Sequence, residues 1–167
     1  MKNITHFEKI SEKQFLVDLK NLGYSCDYEK SYENILLPKR ATTSSAGYDF
    51  YLPFDIVLNH GSSIIIPTGI RCMMNDDLVL QIYPRSSLGF KYRLQLDNTV
   101  GIIDSDYYFA KNEGHIMIKL SNLSFDKKIV NLKQGDAFCQ GVFLTYVKTC
   151  DDVTTNTRVG GIGSTNK

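Results

Sequence analysis

The sequence predicts an all-β fold, a sandwich or barrel of short strands with one short N-terminal helix. Three observations lead there. From Ile35 onward, apolar or alternating runs recur at roughly 8–12-residue intervals, each closed by turn residues. A single clear helical periodicity stands near the start of the chain. With 43% of 167 residues hydrophobic and 22% charged, the chain has the make-up of one globular domain with a core of its own.

The helix comes first. Ser11-Glu12-Lys13-Gln14 reads as a capping box, in which Ser11 accepts from a first-turn amide and Gln14 reaches back. Phe15, Leu16, Leu19 and Leu22 follow at helical spacing, and Gly23 is a natural stop, so the helix is predicted over 12–22 within an N-terminal extension covering 1–34. Strand-like runs follow over Ile56–Leu58, Ser63–Ile66, Leu78–Tyr83, His115–Leu120, Ile129–Leu132 and Ala137–Val147, making a β-domain over 35–150. The last ten residues, RVGGIGSTNK, are polar and Gly-rich. They have too little apolar surface to hold themselves in place, so 151–167 is expected to be a flexible arm.

Several function classes drop out. Nineteen Lys and Arg against eighteen Asp and Glu leave a formal charge of +1, without the one-signed field that a nucleic-acid coat or polybasic membrane binder needs. No apolar run approaches the roughly 20 residues of a membrane span, and MKNITHFEKISEK lacks the apolar core of a signal peptide. Cys26, Cys72, Cys139 and Cys150 form no C-x-x-C pair, which points to reduced thiols in a cytoplasmic protein. His6-Phe7-Glu8 matches the H-x-E of zinc deaminases, but no P-C-x-x-C follows.

Four polar segments interrupt the strands with residues a core would not choose. Ser45-Ala46-Gly47-Tyr48-Asp49 turns into a strand with one carboxylate. In Tyr83-Pro84-Arg85-Ser86-Ser87-Leu88-Gly89 a guanidinium, two hydroxyls and free amides form an anion-binding set. The stretch Asp97 to Tyr108 sets Asp104 and Asp106 two apart, pointing the same way if the segment is extended. Asn98, whose amide both donates and accepts, adds base recognition to that acid–base pair. Arg158-Val159-Gly160-Gly161-Ile162-Gly163-Ser164-Thr165 offers glycines, hydroxyls and an Arg for phosphates, without the ending of a Walker loop. Taken singly, each is also explained as an ordinary surface turn.

In this order, with Gly135-Asp136-Ala137-Phe138-Cys139-Gln140 between the third and fourth, the segments resemble the five motifs of the trimeric dUTP pyrophosphatases (dUTPases). SAGYDF at 45–50, PRSSLG at 84–89, NTVGIIDSDY at 98–107, GDAFCQ at 135–140 and RVGGIGST at 158–165 are similar to motifs I to V. The resemblance covers residues 35–167. It implies a distorted jelly-roll β-sandwich assembling as a homotrimer, with composite active sites that close when the C-terminal motif orders over nucleotide. The implied reaction is hydrolysis of dUTP to dUMP and pyrophosphate with Mg2+, which limits uracil incorporation into DNA and supplies dUMP.

Residue roles are implied by the same resemblance. Asp104 would be the general base for water attacking the α-phosphorus. Asn98, with backbone groups of the following turn including Gly101 and Ile103, would read uracil. Tyr107 would pack under the deoxyribose and refuse a 2′-hydroxyl. Arg85, Ser86, Ser87, Gln140 and Arg158 would hold phosphates, joined from the tail by Gly163, Ser164 and Thr165. Asp49 would contact Mg2+ through water, and Asp106 would support the motif III turn.

Three departures from the family pattern stand out. Ile162 replaces an aromatic that stacks on uracil, which implies closure weaker by about 0.5–1.5 kcal/mol. Asn166 replaces a closing Gly, and Tyr108 to Gly114 lengthen the turn after Tyr107. The related fold of dCTP deaminase needs a Glu in the strand after motif III; here that strand reads HIMIKLSN, and Glu113 lies before it. The added helix and the insertion would also suit a regulatory protein partner, as in some phage dUTPase-like proteins.

Overall fold

Every strand pairing is antiparallel in a computed structural model that describes residues 4–25, 27–156, 158 and 160. In chain order the elements are β1 (His6–Lys9), α1 (Glu12–Asn21), α2 (Tyr28–Glu33), β2 (Lys39–Arg40), β3 (Tyr48–Tyr51), β4 (Ile56–Leu58), β5 (Ser63–Pro67), β6 (Ile70–Met73) and β7 (Leu78–Pro84). They continue with α3 (Ser86–Tyr92), β8 (Leu94–Leu96), β9 (Gly101–Ile103), a 3₁₀ turn (Ser105–Phe109), β10 (Met117–Asn122), β11 (Val130–Leu132) and β12 (Ala137–Thr145). The largest sheet has the order β2-β3-β12-β7-β9, a second has the order β5-β10-β8, and β1-β6 and β4-β11 form two-stranded pairs.

Alternation along these strands fills one core. Phe50, Leu80, Ile82 and Phe138 from the five-stranded sheet meet Ile66, Leu94, Leu96, Ile118 and Leu120 from the three-stranded one. A bulge between Ala137 and Cys139 lets two consecutive residues, Phe138 and Cys139, both point inward. Gly141, paired with Tyr48 and Ile82, has no room for more: a Cβ there would stand 2.8 Å from Leu80 Cδ1 and 3.0 Å from Phe50 Cε2. The buried thiols are inert. Burial pushes Cys72 up to about 12 and Cys139 well above the usual thiol value.

The N-terminal helix is present, and its C-terminus is the one the sequence predicts. Leu22 is the C-cap, Gly23 adopts φ 74°, and Tyr24 N–H donates back to Leu19 O at 3.0 Å, a Schellman closure. Its capping box is only half formed. Ser11 Oγ accepts from Gln14 N–H at 3.2 Å as expected, but the Gln14 side chain donates to Asp18 Oδ2 at 3.0 Å instead of reaching back. The Ser11 N–H donates to Glu113 Oε2 at 2.7 Å, so a carboxylate from 102 residues away takes the place of Gln14.

Two more helices, α2 and α3, are short and carry little apolar periodicity; Leu88 is the one buried residue of α3. The 104–106 segment is likewise not extended. Asp104 is extended, but the chain coils into the 3₁₀ turn right after it.

Candidate functional site

The 97–100 turn between β8 and β9 is held in a strained form. Thr99 N–H donates to Leu96 O at 3.0 Å, Val100 N–H donates to Asn98 O at 2.8 Å, and Thr99 sits at φ 65°. A β-branched residue in the left-handed region is a genuine outlier of the kind found at binding sites. Beside the turn lies a cleft of about 420 Å³, lined by Asn98, Gly101, Ile103, Asp104, Tyr107 and Arg158 among others, large enough for a small ligand. All six were singled out in the sequence.

Tyr107 forms the buried wall of this cleft. Its ring is 5% exposed, its hydroxyl donates to His115 O at 2.8 Å, and it accepts from Asn112 Nδ2 at 3.0 Å. Burial, the largest influence, raises its pKa above the usual phenol value, so it stays a neutral, fixed plate. Asp104 and Asp106 point the same way, as expected, though through the 3₁₀ turn rather than strand alternation: both reach Arg158. The Arg158 Nε donates to Asp106 Oδ1 at 2.8 Å, and its guanidinium lies 5.7 Å from the Tyr107 ring centre. The expected phosphate holder therefore rests on the expected base.

The lining residues that were not singled out as site residues include Asp97, Met117 and Lys119. Asp97 pairs with Lys119 Nζ at 2.8 Å and accepts from Ser121 Oγ, and these contacts, Lys119 first, hold its carboxyl below the usual range. Met117 and Lys119 alternate along the outward face of β10, a period-2 signal that was present in HIMIKLSN.

A second cleft, of about 480 Å³, is lined by Arg85, Ser86, Phe90 and Gln140 among others and shares no described lining residue with the first. Arg85 is the residue before α3, and Ser86 and Ser87 open that helix. Gln140 donates to Pro84 O at 3.4 Å, and its side chain fills the space beside Gly47, where a Cβ would stand 2.4 Å from Oε1. Asp49, opposite Gln140 in the ladder, pairs with Arg85 Nε at 3.3 Å. One chain therefore gathers motifs I, II and IV in one place and motif III with Arg158 in another. Ile162, Gly163, Ser164 and Thr165 lie outside the described residues.

Among the described residues no three His, Cys, Asp or Glu side chains stand together as a metal cluster. Among the described residues, Asp49 is the carboxylate that stands with Arg85 and Gln140. A single carboxylate suits a hydrated Mg2+ that arrives on phosphates rather than one held by protein alone. His6 and Glu8 are no metal site either: they bond each other at 2.6 Å, and Glu8 pairs with Arg71. Glu113, the carboxylate nearest to a deaminase-like position, is engaged by both Ser11 N–H and Ser11 Oγ.

No helix among the described residues is long and apolar enough to cross a membrane. A family model described as dUTPase matches residues 33–166. The deoxyuridine 5'-triphosphate nucleotidohydrolase of Lactococcus lactis subsp. lactis is 39% identical over 150 residues, covering 88% of this chain and 99% of the relative. That of Haemophilus ducreyi is 38% identical over 123 residues, covering 72% of this chain and 76% of the relative. The crystal structure of a Streptococcus mutans dUTPase superposes with a TM-score of 0.66 at 34% identity, covering 86% of this chain and 98% of that one. The five ordered motifs, the jelly-roll architecture and these likenesses agree: the chain belongs to the dUTPase family.

Proposed function

We propose that the protein hydrolyses dUTP to dUMP and pyrophosphate, with Asp104 as general base. The observation that carries this reading is the grouping of Asn98, Asp104 and Tyr107 around one cleft in a chain of this family. Asn98 and the strained turn present donors and acceptors to a uracil edge, and the fixed Tyr107 ring lies under the sugar. Asp104 takes a proton from water as its oxygen attacks the α-phosphorus; the α–β bridging bond breaks and pyrophosphate leaves.

Arg85, Ser86, Ser87 and Gln140 bind phosphates, and Arg158 joins them by exchanging Asp104 for a phosphate oxygen. Both partners are anions, so a bidentate phosphate competes directly for the guanidinium. Gly163 and Ser164, with Ile162 as an apolar cover over the base, complete closure. Mg2+, when bound, orients the phosphates and stabilises charge on the leaving pyrophosphate. Asp49 would hold the ion through water.

The separation of the two clefts supports a homotrimer whose sites combine motif III of one subunit with motifs I, II and IV of another. Residues 35–150 are the catalytic body in this reading, 1–34 an added extension and 151–167 the closing arm. The inert, buried Cys72 and Cys139 suit a reducing cytoplasm.

Chromatographic product analysis with dUTP, dCTP, dTTP and UTP offered separately tests the activity. Conversion of dUTP alone to dUMP is expected, whereas deamination of dCTP would overturn it. A solution mass near three times 18.9 kDa is expected for the assembly, and an active monomer would remove the composite site.

A further inference from the structure

The N-terminal extension, which lies almost wholly outside the residues that the family model matches, and the segment 108–114, read in the sequence as an insertion after Tyr107, hold each other. Two contacts join them directly, and a third holds His115, the residue just after the insertion. Tyr108 Oη donates to Glu8 Oε2 at 2.9 Å, beneath an Arg71 guanidinium 4.4 Å from the Tyr108 ring centre. The Glu113 carboxylate accepts from Ser11 N–H at 2.7 Å and Ser11 Oγ at 2.6 Å. Asp18, buried on the inward face of α1, accepts from His115 Nδ1 at 2.6 Å. The other ring nitrogen, Nε2, accepts from Gly69 N–H at 2.8 Å, so the imidazole is fixed in tautomer and orientation between α1 and the chain before β6.

What this arrangement fixes is Tyr107. His115 O is the acceptor for the Tyr107 hydroxyl, and Asn112 Nδ2, from the 108–114 segment, donates to that hydroxyl. Between them the loop doubles back tightly: Gly114 has φ 70°, and a Cβ on it would lie 2.7 Å from Tyr107 O and 2.7 Å from Tyr108 Cα. The Tyr107 ring therefore sits where His115 and the 110–114 loop place it, and both are anchored on α1. A buried carboxylate–imidazole pair, 9% and 0% exposed, is a stiff link, because breaking it strands a polar group away from water.

We propose that Asp18 and His115 are positioning residues for sugar discrimination. Through them the N-terminal extension sets the height of the Tyr107 ring under the sugar and thereby the enzyme's refusal of a ribonucleotide. This rests on the reading of Tyr107 as the floor of the sugar pocket. Discrimination against a single added hydroxyl is a matter of fractions of an ångström, so a ring free to drop gains a ribonucleotide more than it gains the natural substrate.

The test is the ratio of kcat/KM for UTP to that for dUTP, measured on full-length protein; the ratio does not depend on how much of the sample is folded. Asp18→Ala is expected to raise it roughly tenfold, with KM for dUTP rising more than kcat falls. Asp18→Asn, which keeps an oxygen for the Nδ1 proton, is expected to return it near the starting value. Should Asp18→Ala not fold, Glu113→Ala releases the loop at the surface and should shift the ratio in the same direction by less. Tyr107→Ala is the control. If it raises the ratio while the Asp18 and Glu113 variants leave it unchanged, the extension has no part in selectivity and the proposal fails alone. If Tyr107→Ala also leaves it unchanged, Tyr107 is not the sugar floor and both readings fall.

Discussion

Arg158 Nη2 lies 2.5 Å from Asp104 Oδ2, so the residue expected to grip phosphate begins on the carboxylate expected to activate water. A guanidinium meets Asp104 and Asp106 from fixed N–H groups of one planar fork, whereas an ammonium is a point charge on a flexible stem and is not pre-organised for the pair. Arg158→Ala is expected to lower kcat/KM for dUTP at least about tenfold, and Arg158→Lys to recover only part of it. Steady-state kinetics decides, and an Ala variant of full efficiency removes Arg158 from the phosphate site.

Asp104→Asn keeps the size of the side chain and loses the proton acceptor. Turnover should fall by about 100-fold or more while dUTP still binds, which calorimetric titration would register alongside the assay. Near-normal turnover would show that another group takes the proton.

Gly141 is a packing glycine. Gly141→Ala forces Leu80 or Phe50 aside and should cost about 1–3 kcal/mol of stability, lowering the melting temperature by several degrees. Scanning calorimetry is the check; an unchanged midpoint would mean that the sheet shifts without cost.

The β1 contact with the insertion depends on pH from both sides. Burial, its largest single influence, pushes the Glu8 carboxyl up, but hydrogen bonds from His6, Tyr108 and Arg71 outweigh it and hold the group below its usual 4.5. Its contribution is present above about pH 4.5 and is lost as pH falls through the lower folded value. The bond to Ile4 O, then that to Glu8, raises His6 above its usual 6.5, so its contribution is present below 6.5 and is lost as pH rises through the raised value. Proteolytic nicking of the extension should accordingly be slowest between about pH 4.5 and 6.5. A flat profile would show that neither group matters to the grip.

Ile162→Phe should tighten substrate binding by about 0.5–1.5 kcal/mol by restoring a stack on uracil. Equal KM and turnover in the two proteins would show that aliphatic cover suffices.

The sequence displayed what is local. Alternation placed the strands, Gly23 ended α1, and the motif residues Asn98, Asp104 and Tyr107 were recognisable before any cleft was seen. What it hid was non-local. Gln14 does not complete its capping box because Glu113 does, and nothing within a helical turn of Ser11 announces a partner 102 residues away. Asp18 lies about one helical turn after Phe15 and reads as a solvated charge until His115 is found against it. Phe138 and Cys139 break the period-2 pattern because a bulge inserts one residue. Phosphate and base residues fall together in motif order, yet the chain keeps them in separate clefts.

In the proposed trimer that separation has a genetic consequence. An Asp104→Asn subunit still brings a sound Arg85, and an Arg85→Ala subunit still brings a sound Asp104. In trimers assembled at random from equal amounts of the two, about one site in four draws its intact half from each parent. Two inactive alleles in one cell would then complement each other, whereas two lesions confined to the same cleft would not.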